Sequence, residues 1–166
     1  MKIVIVLGAS GSGKTTYIEN TLIKDSVKED FMMNGLNFCK TQNTLLFGHY
    51  NVDRRCKGCD TLSMTAINDI IKSLQKLISE NQYEQIVLDG DRINCKKMHN
   101  FLLPYKEQVE IIWVDTDFET INERLPNINK VFYQTTLTKT KNMIGLYRAS
   151  QFNIQKITTK KVSRWF

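Results

Sequence analysis

The residues at positions 8–15 have the types and the spacing that bind phosphate. They match the pattern G-x-x-x-x-G-K-[S/T] at every position. Glycines let consecutive backbone N–H groups curl around an anion, the lysine reaches the outer phosphates, and the following hydroxyl ligates Mg²⁺. The pattern predicts a cradle for ATP with Mg²⁺, in which Lys14 is also catalytic and Thr15 is also a metal ligand. Its predicted members are Gly8, Ala9, Ser10, Gly11, Ser12, Gly13, Lys14, Thr15 and Thr16.

A carboxylate follows the apolar run at residues 85–88, which is typical of a buried strand. Ligands of open α/β sheets bind beyond the carboxyl ends of the strands. Asp89 is therefore predicted to hold Mg²⁺, through water, beside the phosphates. Arg92, three residues later on the same loop, is predicted to contact the substrate.

The polar stretch at residues 48–60 is predicted to face the γ-phosphate and to receive the acceptor. Phosphoryl transfer to a hydroxyl needs a carboxylate that orients the hydroxyl or takes its proton. The stretch offers Asp53 and Asp60, and the sequence does not decide between them. Arg54 and Arg55 are predicted to hold substrate phosphates, and Tyr50 to stack on a base. The alternatives are structural: a turn or ion-pair role for Asp53 and a helix cap for Asp60.

Two cysteines in the same stretch, Cys56 and Cys59, have the spacing of a zinc knuckle. A structural zinc site usually needs a second such pair, and the other two cysteines lie apart in the sequence. We expect free thiols, with zinc left as the alternative.

Basic residues accumulate at the C-terminal end. Residues 130–166 contain eight Lys or Arg and no Asp or Glu, whereas the rest of the chain has 15 basic and 17 acidic residues. A field of this kind attracts ATP phosphates or nucleic acid. We predict a basic lid and C-terminal segment over about residues 124–166; a solvated basic face is the alternative. Arg124 is expected on ATP and Arg148 on the substrate, with further lid candidates at Lys130, Lys139 and Lys141.

Strand and helix patterns alternate along the chain. Strands are predicted at residues 2–7, 44–48, 85–88, 109–114 and 157–162, and helices at 14–24, 62–78, 96–103, 117–124 and 137–150. Asp60 or Thr61 is expected to cap the helix at 62–78, and Asp117 is expected to cap the helix that runs to about residue 124. Residues 25–40 show only a turn, at 34–35. This order predicts one α/β domain over residues 1–166, a P-loop NTPase sandwich with a mostly parallel central sheet flanked by helices.

The apolar stretches are strand-sized and far shorter than a membrane span. We therefore expect a cytoplasmic protein with no membrane association and no obligate protein partner.

Short motifs in the first two-thirds of the chain resemble phage 5-hydroxymethyluracil DNA kinases, within the thymidylate-kinase-like P-loop group. The matching residues are Tyr50, Gly58-x-Asp60, Leu62-Ser63-Met64 and Asp89-Gly90-Asp91-Arg92. The resemblance implies transfer of the ATP γ-phosphate to the 5-hydroxymethyl group of hydroxymethyluracil within DNA. In such phages this is a step of thymidine hypermodification that evades host restriction, and it takes place in the host cytoplasm. The Cys56-x-x-Cys59 insertion departs from that family.

Two other functions remain open from the sequence. One is a kinase for a free nucleoside or nucleotide, and the other is a non-catalytic nucleic-acid-binding module that holds ATP. A GTPase is disfavoured because the chain has no N-K-x-D motif.

Overall fold

A computed structural model describes residues 1–51 and 57–159. Within these ranges a seven-stranded sheet has the order β2-β3-β4-β5-β1-β6-β7. Strands β4, β5, β1, β6 and β7 are parallel, and β2 and β3 run antiparallel at one edge. The strands are β1 Lys2–Gly8, β2 Glu29–Met33, β3 Leu36–Lys40, β4 Thr44–Phe47, β5 Gln85–Asp89, β6 Val109–Asp115 and β7 Asn153–Thr158. This architecture confirms the predicted α/β class.

Five α-helices accompany the sheet in the described ranges. They are α1 Lys14–Tyr17, which continues as a π-helical turn at Ile18–Leu22, α2 Ile67–Glu80, α3 Lys96–Leu102, α4 Phe118–Arg124 and α5 Lys130–Ala149. Short 3₁₀ segments occur at Cys59–Thr61 and Leu103–Gln108.

Strand β1 is the middle one of the five parallel strands and is buried on all sides. Residues 3–7 of this strand are all buried, because β5 and β6 pair with its two edges and apolar side chains cover both of its faces. On one face, α2 contributes Ile70, Leu74 and Leu77 to the larger core cluster. The carboxyl ends of β1, β5 and β6 therefore lie side by side, and the loops after them meet at one edge of the sheet.

Several predicted boundaries were wrong. The helix predicted at 62–78 begins at Ile67 behind Ala66, so neither Asp60 nor Thr61 caps it. The helix predicted from 137 begins at Lys130, capped by the Asn129 side chain. The last strand, predicted at 157–162, instead spans residues 153–158, which pair with residues 110–115 of β6. By contrast, the Asp117 side chain accepts from the Thr120 N–H and caps α4 as predicted.

Residues 29–40, for which the sequence predicts only a turn, form the β2–β3 hairpin, with that turn at the predicted positions 34–35. No helix in the described residues is long and apolar enough to cross a membrane.

Candidate active site

The loop between β1 and α1 curls back on itself at the predicted cradle. The Ser12 N–H donates to the Ala9 carbonyl at 3.1 Å, and Gly13 has a positive φ of 95°. The Lys14 ammonium donates to the carbonyls of Gly8 and Ala9 at 3.1 and 3.0 Å. Its charge is thus held against the backbone of the loop, in reach of an anion bound there.

Burial and three nearby carboxylates act on the pKa of Lys14 in opposite directions. Burial lowers the pKa of the Lys14 ammonium below its ordinary value. The negative charges of Asp60, Asp89 and Asp91 act in the opposite direction, since each of them favours the charged form. The structure thereby brings the cradle lysine together with the predicted metal carboxylate, Asp89, and with Asp60, one of the two predicted catalytic carboxylates.

Asp89 ends β5 and is almost completely buried, with 1% of its surface exposed. The Tyr50 hydroxyl donates a short hydrogen bond to Asp89 Oδ1. Burial raises the pKa of Asp89 to about 7, although the Tyr50 hydrogen bond and the Lys14 charge both lower it. Burial and the Asp89 charge raise the pKa of Tyr50 well above its ordinary value, so its hydroxyl remains a donor.

The position of Tyr50 corrects its predicted role as a stacking platform. Its ring is 1% exposed and packs with Val4, Val6 and Val87 in the smaller core cluster. A buried ring whose hydroxyl is bonded to Asp89 cannot stack on a substrate base. Tyr50 instead lies in the core and positions the Asp89 carboxylate through its hydroxyl.

The Gly58 backbone also packs directly against the Asp89 carboxylate. It has a φ of 68°, and a Cβ at this position would overlap the Asp89 carboxylate. Its N–H donates to the His49 carbonyl at 3.0 Å, so the two sides of the polar stretch at residues 48–60, here called the acceptor loop, are joined. Only glycine allows the backbone to approach Asp89 this closely.

Asp60 lies on the short 3₁₀ segment directly after Gly58. Its Oδ1 accepts from the Asp91 N–H at 2.8 Å, which fixes it against the loop after β5. Asp60 is half-buried, and its charge acts on the Lys14 ammonium. The alternative of a helix cap is wrong, because α2 begins seven residues later.

Arg124 lies over the cradle. One terminal nitrogen of its guanidinium is 3.8 Å from the point that a Cβ of Gly13 would occupy. The last residue of α4 therefore supplies a cation beside the phosphate-binding backbone, where the sequence predicts a contact with ATP.

Helix α5 also contacts the cradle, through residues that the sequence analysis missed. The Thr136 hydroxyl accepts from the Ser10 N–H at 3.0 Å. The Tyr133 hydroxyl donates to the Thr116 carbonyl at 2.9 Å, and Thr116 in turn donates to the Ser12 carbonyl at 2.8 Å. Threonine is common on helix surfaces, so the sequence carried no signal for these contacts.

Two acidic residues before the acceptor loop hold its flanks. The Asp30 carboxylate on β2 accepts from the Tyr50 and Asn51 N–H groups, each at 3.3 Å, and lies 3.2 Å from His49 Nδ1. Glu19, on the π-helical turn, accepts from Lys57 at 2.8 Å. These residues fall in a helix and a hairpin whose long-range partners the sequence does not reveal.

The other residues predicted at the site lie away from the cradle, bond to the backbone, or fall outside the described ranges. Arg148 is exposed near the end of α5, roughly 18 Å along the helix axis from Thr136, because α5 leads back to the opposite edge of the sheet. It is not brought to the cradle. Arg92 is half-buried, with its Nε 3.4 Å from the Leu62 carbonyl. The predictions for Asp53, Arg54, Arg55 and Cys56 fall outside the described residues.

Cys59, the other member of the predicted zinc pair, belongs to the hydrophobic core. It is fully buried, and its thiol lies 3.8 Å from the Phe47 carbonyl. Burial and the charge of Asp89 raise the pKa of its thiol well above the ordinary value, so the thiolate that zinc requires is disfavoured. This arrangement favours the free thiol.

The residues present fit a nucleoside triphosphate with Mg²⁺. Ser12 has a buried hydroxyl without a hydrogen-bond partner in the described structure, and the Lys14 and Arg124 cations flank the same loop. The described residues contain no cluster of three or more His, Cys, Asp or Glu able to hold a metal by themselves. Of the predicted metal ligands, Thr15 would hold Mg²⁺ directly and Asp89 through water, with phosphate oxygens completing the coordination.

Comparisons with known proteins add little. No protein-family model matches the chain, and no curated protein matches it. Among solved structures, an unliganded sugar kinase from Janibacter sp. HTCC2649 is 14% identical, with 95% of this chain and 85% of that chain covered and a TM-score of 0.46. A similarity of this size carries no argument about function, which therefore rests on the geometry of the chain itself.

Proposed function

We propose that this protein is an ATP-dependent kinase that transfers the γ-phosphoryl group to an alcohol. The observation that carries the proposal is the convergence of Lys14, in the P-loop, with Asp60 and Asp89 at the carboxyl edge of the sheet. Phosphoryl transfer needs a cation on the phosphates, a carboxylate on the metal side and a carboxylate on the acceptor side. These three groups supply one of each.

Each residue has a distinct part in the proposed reaction. The backbone of the cradle and the Lys14 ammonium bind the phosphates, and Arg124 adds charge from α4. Thr15 and Asp89 would hold Mg²⁺, which would supply positive charge to the β- and γ-phosphates. The acceptor oxygen forms a bond to the γ-phosphorus while the bond to the β–γ bridging oxygen breaks. The acceptor proton passes to Asp60, and the products are a phosphomonoester and ADP.

For the acceptor we propose the 5-hydroxymethyl group of 5-hydroxymethyluracil within DNA. The support is the resemblance of Tyr50, Gly58-x-Asp60 and Asp89-Gly90-Asp91-Arg92 to phage kinases of this kind, together with the excess of basic residues after residue 130. Asp60 is half-buried against the loop after β5, so we expect the base to reach it from a flipped nucleotide or a single strand.

Phosphate transfer from γ-labelled ATP tests the proposal. The acceptors are DNA that contains 5-hydroxymethyluracil, the same DNA with thymine, and free 5-hydroxymethyl-2′-deoxyuridine. We expect label in the modified DNA alone. Label in the free nucleoside alone would support a small-molecule kinase, and no label in any acceptor would overturn the assignment.

A further inference from the structure

One face of α5 lines an open groove next to the proposed acceptor site. The groove has a volume of about 800 Å³. Its described lining is a single face of α5, made of Lys130, Val131, Gln134, Thr135, Thr138, Lys139 and Asn142. We call this surface the α5 groove.

The α5 groove combines basic and hydrogen-bonding side-chain ends, which suit a phosphate, with aliphatic surface between them. Helix α5 carries four basic residues and no Asp or Glu over its 20 positions, and two of the four, Lys130 and Lys139, line the groove. Between its lysines the groove presents hydroxyl and amide side chains, which donate hydrogen bonds to phosphate and sugar oxygens. Phe132, beside the groove at the start of the helix, is 55% exposed and offers a surface for a base.

Hydrogen bonds connect the groove to the acceptor carboxylate. The Lys139 ammonium contacts the Asp91 carboxylate at 2.8 Å and the Asp91 carbonyl at 3.1 Å. The Asp91 N–H in turn donates to Asp60 at 2.8 Å. At the next residue of α5, the buried Thr140 hydroxyl accepts from the Asn94 amide at 3.2 Å. The middle of the groove is therefore two contacts away from Asp60.

Arg124 and Lys139 lie on different sides of the site. Arg124 lies over the cradle, where the triphosphate binds, whereas Lys139 lies over the loop that follows β5. The sequence analysis grouped both as lid residues. The geometry separates Lys139 from the cradle and assigns it to the acceptor side.

We propose that the α5 groove binds the phosphodiester backbone of the DNA strand that carries the reacting base, with Lys139 as a phosphate contact. This inference rests on the proposed transfer to a base within DNA. In the free protein, Asp91 holds the Lys139 ammonium in position. When the strand binds, a backbone phosphate takes the place of the Asp91 carboxylate as the partner of Lys139.

Two variants of the same ion pair test this proposal by their opposite effects. The probe is fluorescein-labelled single-stranded DNA of about 15 nucleotides, and fluorescence anisotropy gives its dissociation constant. Lys139→Gln is expected to weaken binding about fourfold at about 0.15 M salt and to lower the salt slope by about 0.7, the contribution of one phosphate contact to a single strand. Asp91→Asn is expected to tighten binding about twofold or more, because it frees the lysine for phosphate.

A purely structural ion pair would respond differently. Both variants break the same contact, so a structural role predicts changes in the same direction, or no change in either. Either result would overturn the proposal. Lys72→Gln, an exposed lysine on α2, is the control for net charge, and we expect its dissociation constant to match that of the parent protein.

The binding assay also separates this inference from the proposed function. If the parent protein phosphorylates no DNA but the opposite effects of Lys139→Gln and Asp91→Asn persist, the groove stands and the kinase assignment fails. If DNA containing 5-hydroxymethyluracil is phosphorylated and the two variants bind it equally well, the kinase assignment stands and the groove fails.

Discussion

Removal of the Tyr50 hydroxyl probes the buried carboxylate on which the proposed metal site depends. Tyr50→Phe deletes the hydrogen bond to Asp89 and leaves the ring in its core position. A hydrogen bond to a charged group contributes about 1.5–3 kcal/mol, which corresponds to roughly one to two pKa units. The pKa of Asp89, already raised to about 7 by burial, should therefore rise further.

The expected effect is largest near neutral pH. In the parent protein about half of the Asp89 carboxyls are ionised at pH 7, and in the variant roughly a tenth or fewer. Because the carboxylate is the form that binds Mg²⁺, the value of kcat/KM at pH 7 should fall about fivefold or more. The difference should shrink as the pH rises above about 9.

The assay is a pH–rate profile at a low, fixed Mg²⁺ concentration. Tyr147→Phe is the matched control, since Tyr147 is also fully buried but its hydroxyl has no hydrogen-bond partner among the described residues. The acidic limb of the profile should move to higher pH in Tyr50→Phe and stay in place in Tyr147→Phe. An acidic limb at the same pH in both variants would refute the link between Tyr50 and Asp89.

Three further predictions follow from the same geometry. Asp60→Asn keeps an oxygen for the Asp91 N–H but cannot take a proton, so kcat should fall about 100-fold or more with little change in the KM for ATP; an unchanged kcat would move the base elsewhere. Gly58→Ala should destabilise the fold by several kcal/mol more than Gly35→Ala in urea unfolding, since both have positive φ but only Gly58 abuts the Asp89 carboxylate; equal losses would contradict the close approach. In the metal-free protein, the folded state binds more protons than the unfolded state between the ordinary Asp89 pKa of 3.8 and about 7. The free energy of unfolding should therefore fall as the pH rises through that range, by up to about 4 kcal/mol, and Asp89→Asn should abolish this slope.

The elements that carry the phosphate side of the site could be predicted from the sequence. Strand β1, the cradle and the carboxylate that ends β5 are local patterns, and their order along the chain places them on one edge of a parallel sheet. The position of Asp60 within reach of Lys14 follows from the same reasoning. Arg124 is found over the cradle because α4 begins at a readable cap, Asp117, and ends seven residues later.

The acceptor side depends on long-range contacts that local patterns do not encode. An aromatic residue such as Tyr50 serves a core or a surface equally well, and only the position of Asp89 decides. Helix α5 begins earlier than its apolar pattern indicates because its first turns are rich in threonine, glutamine and exposed apolar residues. The anchoring role of Asp30 requires the β2–β3 hairpin, whose partner strands are set by the sheet as a whole.

The central claim is that the Lys14 cradle transfers phosphate to a hydroxyl held at Asp60. The most direct test is label transfer from γ-labelled ATP to DNA containing 5-hydroxymethyluracil by the parent protein and by Lys14→Ala, with circular dichroism to compare their folds. We predict transfer by the parent protein and none by a folded Lys14→Ala variant. Equal transfer by both proteins would contradict the account, because the cradle would then have no part in the reaction.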